Sequence, residues 1–101
     1  MAPKFATVVL VLALVGCATG RAHENFKNMM ARNVGRSADD PAVVFNYYKR
    51  YRGPSTPLAN GNSEQSWIYG KCRVFFEVSK DTRKIVEWRY EGGPDDCAVV
   101  P

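Results

Sequence analysis

The sequence predicts an α+β fold in which two short N-terminal helices pack on a three-stranded antiparallel β-meander, an ααβββ order. Three observations lead to it. Apolar residues recur at helical spacing before Gly53 and at a period of two after Asn60-Gly61. Turn-forming residues divide the second half into three strand-length runs. The chain that remains once an export signal is set aside is long enough for one small domain.

That export signal comes first in the chain. One charge, Lys4, precedes an almost wholly apolar run from Phe5 to Val15, followed by Gly16 and Cys17. The run is eleven residues long, whereas a spanning helix needs about 20. This is the layout of a cleavable signal peptide. Leu14-Val15-Gly16-Cys17 resembles the bacterial lipobox, which implies cleavage before Cys17 and attachment of lipid to its thiol. An ordinary secretory signal cut at Ala18 or Gly20 is the alternative. Ala18 follows the cysteine in place of Asp, and the sorting rules that go with the resemblance then imply an outer-membrane anchor facing the periplasm. The expected division is a signal peptide over residues 1–16, a lipidated tether over 17–22 and one domain over 23–101.

Removal of residues 1–16 leaves 85 residues with 13 basic and 10 acidic side chains. A net charge of +3, spread along the chain, is weak for nucleic-acid binding and none is expected. The chain has three cysteines. With Cys17 assigned to lipid, Cys72 and Cys97 remain, and in an oxidising compartment they are expected to form a disulfide. Closing that loop of about 26 residues stabilises a small fold by roughly 3.5 kcal/mol. A Cys-Cys metal or redox site would be the alternative, but CxxC spacing and supporting histidines are lacking.

A first helix is expected over His23–Arg32, with Phe26, Met29 and Met30 at helical spacing. A second carries the strongest local signal: Asp39 and Asp40 as N-caps, Pro41 at the first helical position, then Val44, Tyr47, Tyr48 and Tyr51 at i, i+3, i+4 and i+7. Gly53-Pro54 is read as its stop, and residues 54–64 as a loop. Strands are expected over Gln65–Tyr69, Cys72–Ser79 and Lys84–Glu91, with Lys80-Asp81-Thr82-Arg83 as the last turn. Alternation puts Cys72, Val74, Phe76 and Val78 on one face, with Arg73, Phe75 and Glu77 on the other. In the third strand it puts Val86, Trp88 and Tyr90 in the core and Ile85, Glu87, Arg89 and Glu91 outside.

The order of lipobox, short helix, Val34-Gly35-Arg36-Ser37, a helix ending at Gly53-Pro54, the Asn60-Gly61 loop and then Trp67-Ile68-Tyr69 with a strand pair resembles the BamE-like (SmpA/OmlA) outer-membrane lipoproteins. The resemblance covers roughly residues 30 to 91 and implies a compact ααβββ fold and an envelope role. The cysteine-bearing segment 71–97 departs from it and looks more like a disulfide-bearing branch of small lipoproteins. Paired ααβββ units also resemble β-lactamase inhibitor proteins.

No catalytic constellation is evident. His23 is the sole histidine and is read as a solvated residue, Asp39-Asp40 as helix caps, Asp95-Asp96 as a turn, and Arg73, Glu77, Glu87 and Arg89 as cross-strand ion pairs. No metal or cofactor is expected. Two groups of residues are left over. Tyr47, Tyr48 and Tyr51 are too many for one narrow helical stripe to bury, and Phe75 is apolar on a charged face. With Arg73 and Arg89 they are candidate anchors for a partner, although burial under the 54–64 loop also accounts for them. The expected function is a non-enzymatic, lipid-anchored protein at the periplasmic face of the outer membrane that binds another envelope protein. The alternative is an inhibitor or ligand-binding module directed at a lysozyme or β-lactamase and localised by its lipid. A structural lipoprotein of the cell wall is a third reading.

Overall fold

A computed structural model of the chain describes residues 21–100. The expected signal peptide and the expected lipid-attachment residue Cys17 lie outside the described residues. One helix of more than two turns, α1, is formed over residues 21–31, and only a single helical turn follows it, α2 at Val44–Tyr47, with a 3-10 turn at Lys49–Tyr51. Four strands then run as an antiparallel meander: β1 Arg52–Pro57, β2 Ser63–Tyr69, β3 Cys72–Val78 and β4 Ile85–Glu91, in the order β1-β2-β3-β4. Among the described residues, the expected pair of helices on three strands is therefore corrected to one helix, two short turns and four strands.

The second helix falls short because its apolar residues are consecutive. Val43, Val44 and Phe45 are all buried, and one face of a helix cannot take three successive side chains. Asp40 accepts a hydrogen bond from the Ala42 amide at 2.9 Å through its side chain, closing a local turn in place of a helical cap. The Asn46 amide donates to the carbonyls of Ala38 and Asp40 at 2.7 and 2.9 Å, which holds 38–46 as a compact knot.

Gly53-Pro54, read as a helix stop, instead forms a bulge in β1. Arg52 pairs with Trp67 but Ser55 with Gln65, so β1 carries an extra residue there. Proline is tolerated because β1 is an edge strand. Two buried polar residues of β2 satisfy the carbonyls that the bulge turns out of the ladder: Gln65 Nε2 donates to Gly53 at 2.8 Å and Ser66 Oγ to Pro54 at 2.8 Å. The expected loop thus shrinks to residues 58–62.

A second bulge corrects the core assignment in β4. Val78 pairs with Ile85, whereas Glu77 pairs with Glu87, leaving Val86 as the extra residue. A one-residue shift exchanges the faces of the side chains beside it. Ile85 is therefore in the core at 1 % exposure, and Val86 is outside at 47 %. From Trp88 onward the expected alternation is recovered. We expect Ile85→Val to cost about 1 kcal/mol and Val86→Thr to stay within about 0.5 kcal/mol of the parent; urea denaturation giving the reverse ranking would show the bulge to be misplaced.

The core lies between the helical layer and one sheet face, with Phe26 and Met30 from α1, Val43, Val44 and Phe45 from the knot, and Trp67, Val74, Phe76, Val78 and Ile85 from the sheet. Residues 35–38 run beside the start of β4, with Gly35 N–H donating to Ile85 at 2.7 Å and Ile85 N–H to Arg36 at 2.9 Å, and cover that end of the sheet edge. Cys72 and Cys97 form a disulfide with Cα atoms 5.1 Å apart, inside the range a bridge requires. Gly92 permits this approach: its φ is +139°, and a Cβ there would stand 3.0 Å from Cys97 Sγ. His23, expected to be solvated, is instead half-buried in α1. Its Nδ1 lies 2.7 Å from the Cys97 carbonyl and its Nε2 lies 3.2 Å from the Tyr90 hydroxyl. Ala22 accepts from the Val99 amide at 3.0 Å, so residues 21 and 22 belong to the fold.

Candidate functional site

At one end of the sheet the middle of α1, the 3-10 turn, the last residues of β2 and the C-terminal tail surround an open groove of about 350 Å³. Its aromatic wall follows from strand geometry, since Trp67 and Tyr69 are two apart in β2 and project to the same face. Their rings stack with centroids 5.9 Å apart. Tyr51 meets both edge-on, at 5.6 Å from Trp67 and 5.1 Å from Tyr69. The Trp67 indole N–H donates to the Tyr48 carbonyl at 3.1 Å and so fixes the 3-10 turn against the sheet. Arg50 lies over the Tyr51 ring at 4.9 Å and donates to its hydroxyl at 2.8 Å. Phe26 and Met29 close the groove from α1, and Val99 and Val100 from the tail.

The candidate residues read from the sequence do not form one site. Tyr48 and Tyr51 line the groove. Tyr47 packs edge-on against Tyr48 at 4.8 Å, is 69 % exposed, and points to a shallower depression beside Arg32 and Arg36. Phe75, Arg73 and Arg89 lie on the opposite, helix-free face of the sheet. There Arg89 reaches across β3: its guanidinium lies 4.0 Å over the Phe75 ring and donates to both Glu64 carboxylate oxygens, at 3.1 and 3.3 Å. A cation on an aromatic face accounts for an apolar residue among charges. A cleft of about 240 Å³ remains beside Phe75, bordered by Leu58 and Trp88. Arg73 stands opposite Glu91.

The expected ion pairs across this face are rearranged. Glu77 faces glutamates on both sides, Glu64 and Glu87. It is held instead by the side-chain amides of Asn62 and Asn60, at 2.7 and 3.0 Å. Those two hydrogen bonds lower its pKa below the ordinary carboxylate value. Hydrogen bonding to Glu64, followed by Glu91, raises that of Arg89.

Sequence reasoning missed Trp67, Tyr69 and Arg50 as parts of one groove. The two-residue spacing of the first pair was the available signal. The tail carried none, because its position depends on the disulfide. Among the described residues no group of three or more His, Cys, Asp or Glu side chains is placed to hold a metal ion, and no helix is long and apolar enough to cross a membrane.

Comparison with protein families, curated proteins and solved structures finds no match for the chain. The likeness to BamE-like lipoproteins thus stands on the short motifs quoted above, and the ααβββ order it implied is not the order found.

Proposed function

We propose that this protein is a lipid-anchored, non-enzymatic binding domain of the bacterial envelope, held at the periplasmic face of the outer membrane through Cys17 and making its contacts through the aromatic groove. The groove is the observation that carries the reading. Tyrosine, tryptophan and arginine are the residues that dominate recognition surfaces, and here Tyr48, Tyr51, Trp67, Tyr69 and Arg50 meet on one rim. Their rings are held by one another and by the Trp67 hydrogen bond, so little side-chain freedom is left to lose on binding. The lining supplies stacking and hydrogen-bonding groups with no paired nucleophile and base. The lipobox-like Leu14-Val15-Gly16-Cys17 lies four residues before the described helix, which makes localisation part of the function.

Expression of the full chain in a Gram-negative host tests the anchor. The expected product is cleaved before Cys17, carries diacylglyceryl and amide-linked acyl groups on the N-terminal peptide by mass spectrometry, and fractionates with the outer membrane. Cys17→Ser is expected to accumulate as uncut, unlipidated precursor. A mature chain beginning at Thr19 or Arg21 without lipid would make it an ordinary secreted protein.

A further inference from the structure

We propose that the groove-bearing end of the domain docks on the lipid interface of the membrane that anchors it, so that Tyr48, Tyr69 and Val100 are contacts with lipid. The proposal rests on the reading of Cys17 as the lipid-attachment site.

Reach is the first argument. The described fold begins at residue 21, and the four residues from Cys17 to Arg21 span at most about 14 Å when fully extended. A domain of this size is about 30 Å across. The lipid therefore selects which end of the domain lies beside the bilayer, and the hydrogen bonds identify that end. Ala22 is bonded to Val99 and His23 lies against the Cys97 carbonyl, whereas the chain just after α1 reaches Ile85 through Gly35 at the other end of the sheet. Thus α1 runs the length of the sheet away from the anchor. Its first residues share an end with the Gly70-Lys71 turn, the disulfide, the 3-10 turn and the groove. The opposite end carries the Lys80–Arg83 turn, which meets the Asn60-Gly61 loop where Lys80 N–H donates to Asn62 Oδ1 at 3.1 Å.

Composition is the second argument. Tyr48, Ile68, Tyr69 and Val100 are exposed at the anchored end, at 44, 38, 45 and 89 %. Exposed Arg21, Lys49, Arg50, Arg52, Lys71 and Arg73 surround them, against Glu24, Glu91, Asp95 and Asp96. Tyrosines flanked by basic side chains suit a bilayer interface: the rings lie at headgroup depth, the aliphatic stems follow the apolar surface and the cations meet anionic headgroups. The other end exposes Lys80, Asp81, Thr82, Arg83 and Asn60, and its exposed apolar residues are Val34 and Val86, which lack the polar tip that holds a tyrosine at headgroup depth.

The test places a photocrosslinking benzoylphenylalanine at Tyr48, Tyr69 or Lys80 of the full-length protein in intact cells, with adducts identified by mass spectrometry. Phospholipid adducts are expected at Tyr48 and Tyr69 and are expected to be lost at Lys80. In the Tyr69-labelled protein, Lys71→Glu is expected to lower the lipid yield about fivefold or more, the contribution of one surface cation near an anionic leaflet. Equal lipid yields at all three positions, or adducts only to protein at Tyr48 and Tyr69, would overturn the docking. The N-terminal peptide of the same samples reports the lipid on Cys17, so loss of the anchor and loss of the docking are read separately.

Discussion

Replacing Cys72 and Cys97 together by alanine is expected to lower the unfolding free energy by about 3.5 kcal/mol, a large part of the roughly 4–12 kcal/mol available to a domain of this size. The bridge closes a loop that holds all of β3 and β4, and most of its effect is restriction of the unfolded chain. There is also a local consequence in the folded state. Cys97 brings its own carbonyl to His23, and two residues later the Val99 amide reaches Ala22. Without the bridge the tail is held by these contacts and a few apolar ones, so the groove loses a fixed wall. Urea denaturation should show a lowered midpoint, and hydrogen exchange should show faster exchange at Val99 than at Val74 in the middle of the sheet. A loss below about 1 kcal/mol would mean that the loop is already restrained in the unfolded ensemble.

How far the sequence could be read depends on whether the information was local. The period-two run from Cys72 to Val78 was legible because that strand has one buried face, and alternation encodes that directly, whereas β2 buries Gln65, Ser66 and Trp67 in succession. The two bulges were not legible. An extra residue at Gly53-Pro54 or Val86 is defined by the partner strand, and only the paired register reveals it. The same holds for β1, whose sequence Arg-Gly-Pro-Ser-Thr-Pro lacks strand propensity and is extended because β2 pairs with it. Part of the site followed the same division. Tyr48 and Tyr51 stood out as surplus aromatics on a supposed helix. Their convergence with Trp67 and the tail needed the 3-10 turn and the disulfide, neither of which has a periodic signature. Phe75 was rightly seen as out of place among charges, and the cation that covers it comes from the neighbouring strand while the carboxylate that holds the cation is two strands away from it.

Asn33→Ala is expected to cost about 3 kcal/mol, as much as truncating an apolar core side chain. Asn33 is only 5 % exposed, and its amide uses both donors and its acceptor. Nδ2 donates to the carbonyls of Met29 and Met30 at 3.1 and 2.9 Å, and Oδ1 accepts the Val44 amide at 2.9 Å. One side chain thus closes the C-terminal end of α1 and fixes the turn that starts α2, joining two elements that the backbone does not connect by hydrogen bonds at this point. Alanine leaves a buried N–H without an acceptor, the more costly half of the loss, and two carbonyls short of a donor. Asn33→Asp separates the parts of this argument. An ionised Asp keeps an acceptor for Val44 but turns a second oxygen toward two carbonyls, an arrangement that favours the protonated form and raises its folded-state pKa. The folded state then binds the proton more tightly than the unfolded one, so the deficit of the variant relative to the parent should be greatest at neutral pH. It should shrink as pH falls through the raised folded pKa, because a protonated carboxyl can donate to Met30 while still accepting from Val44. Parallel stability curves for parent and Asn33→Asp between neutral and mildly acid pH would show that this residue acts through its shape alone.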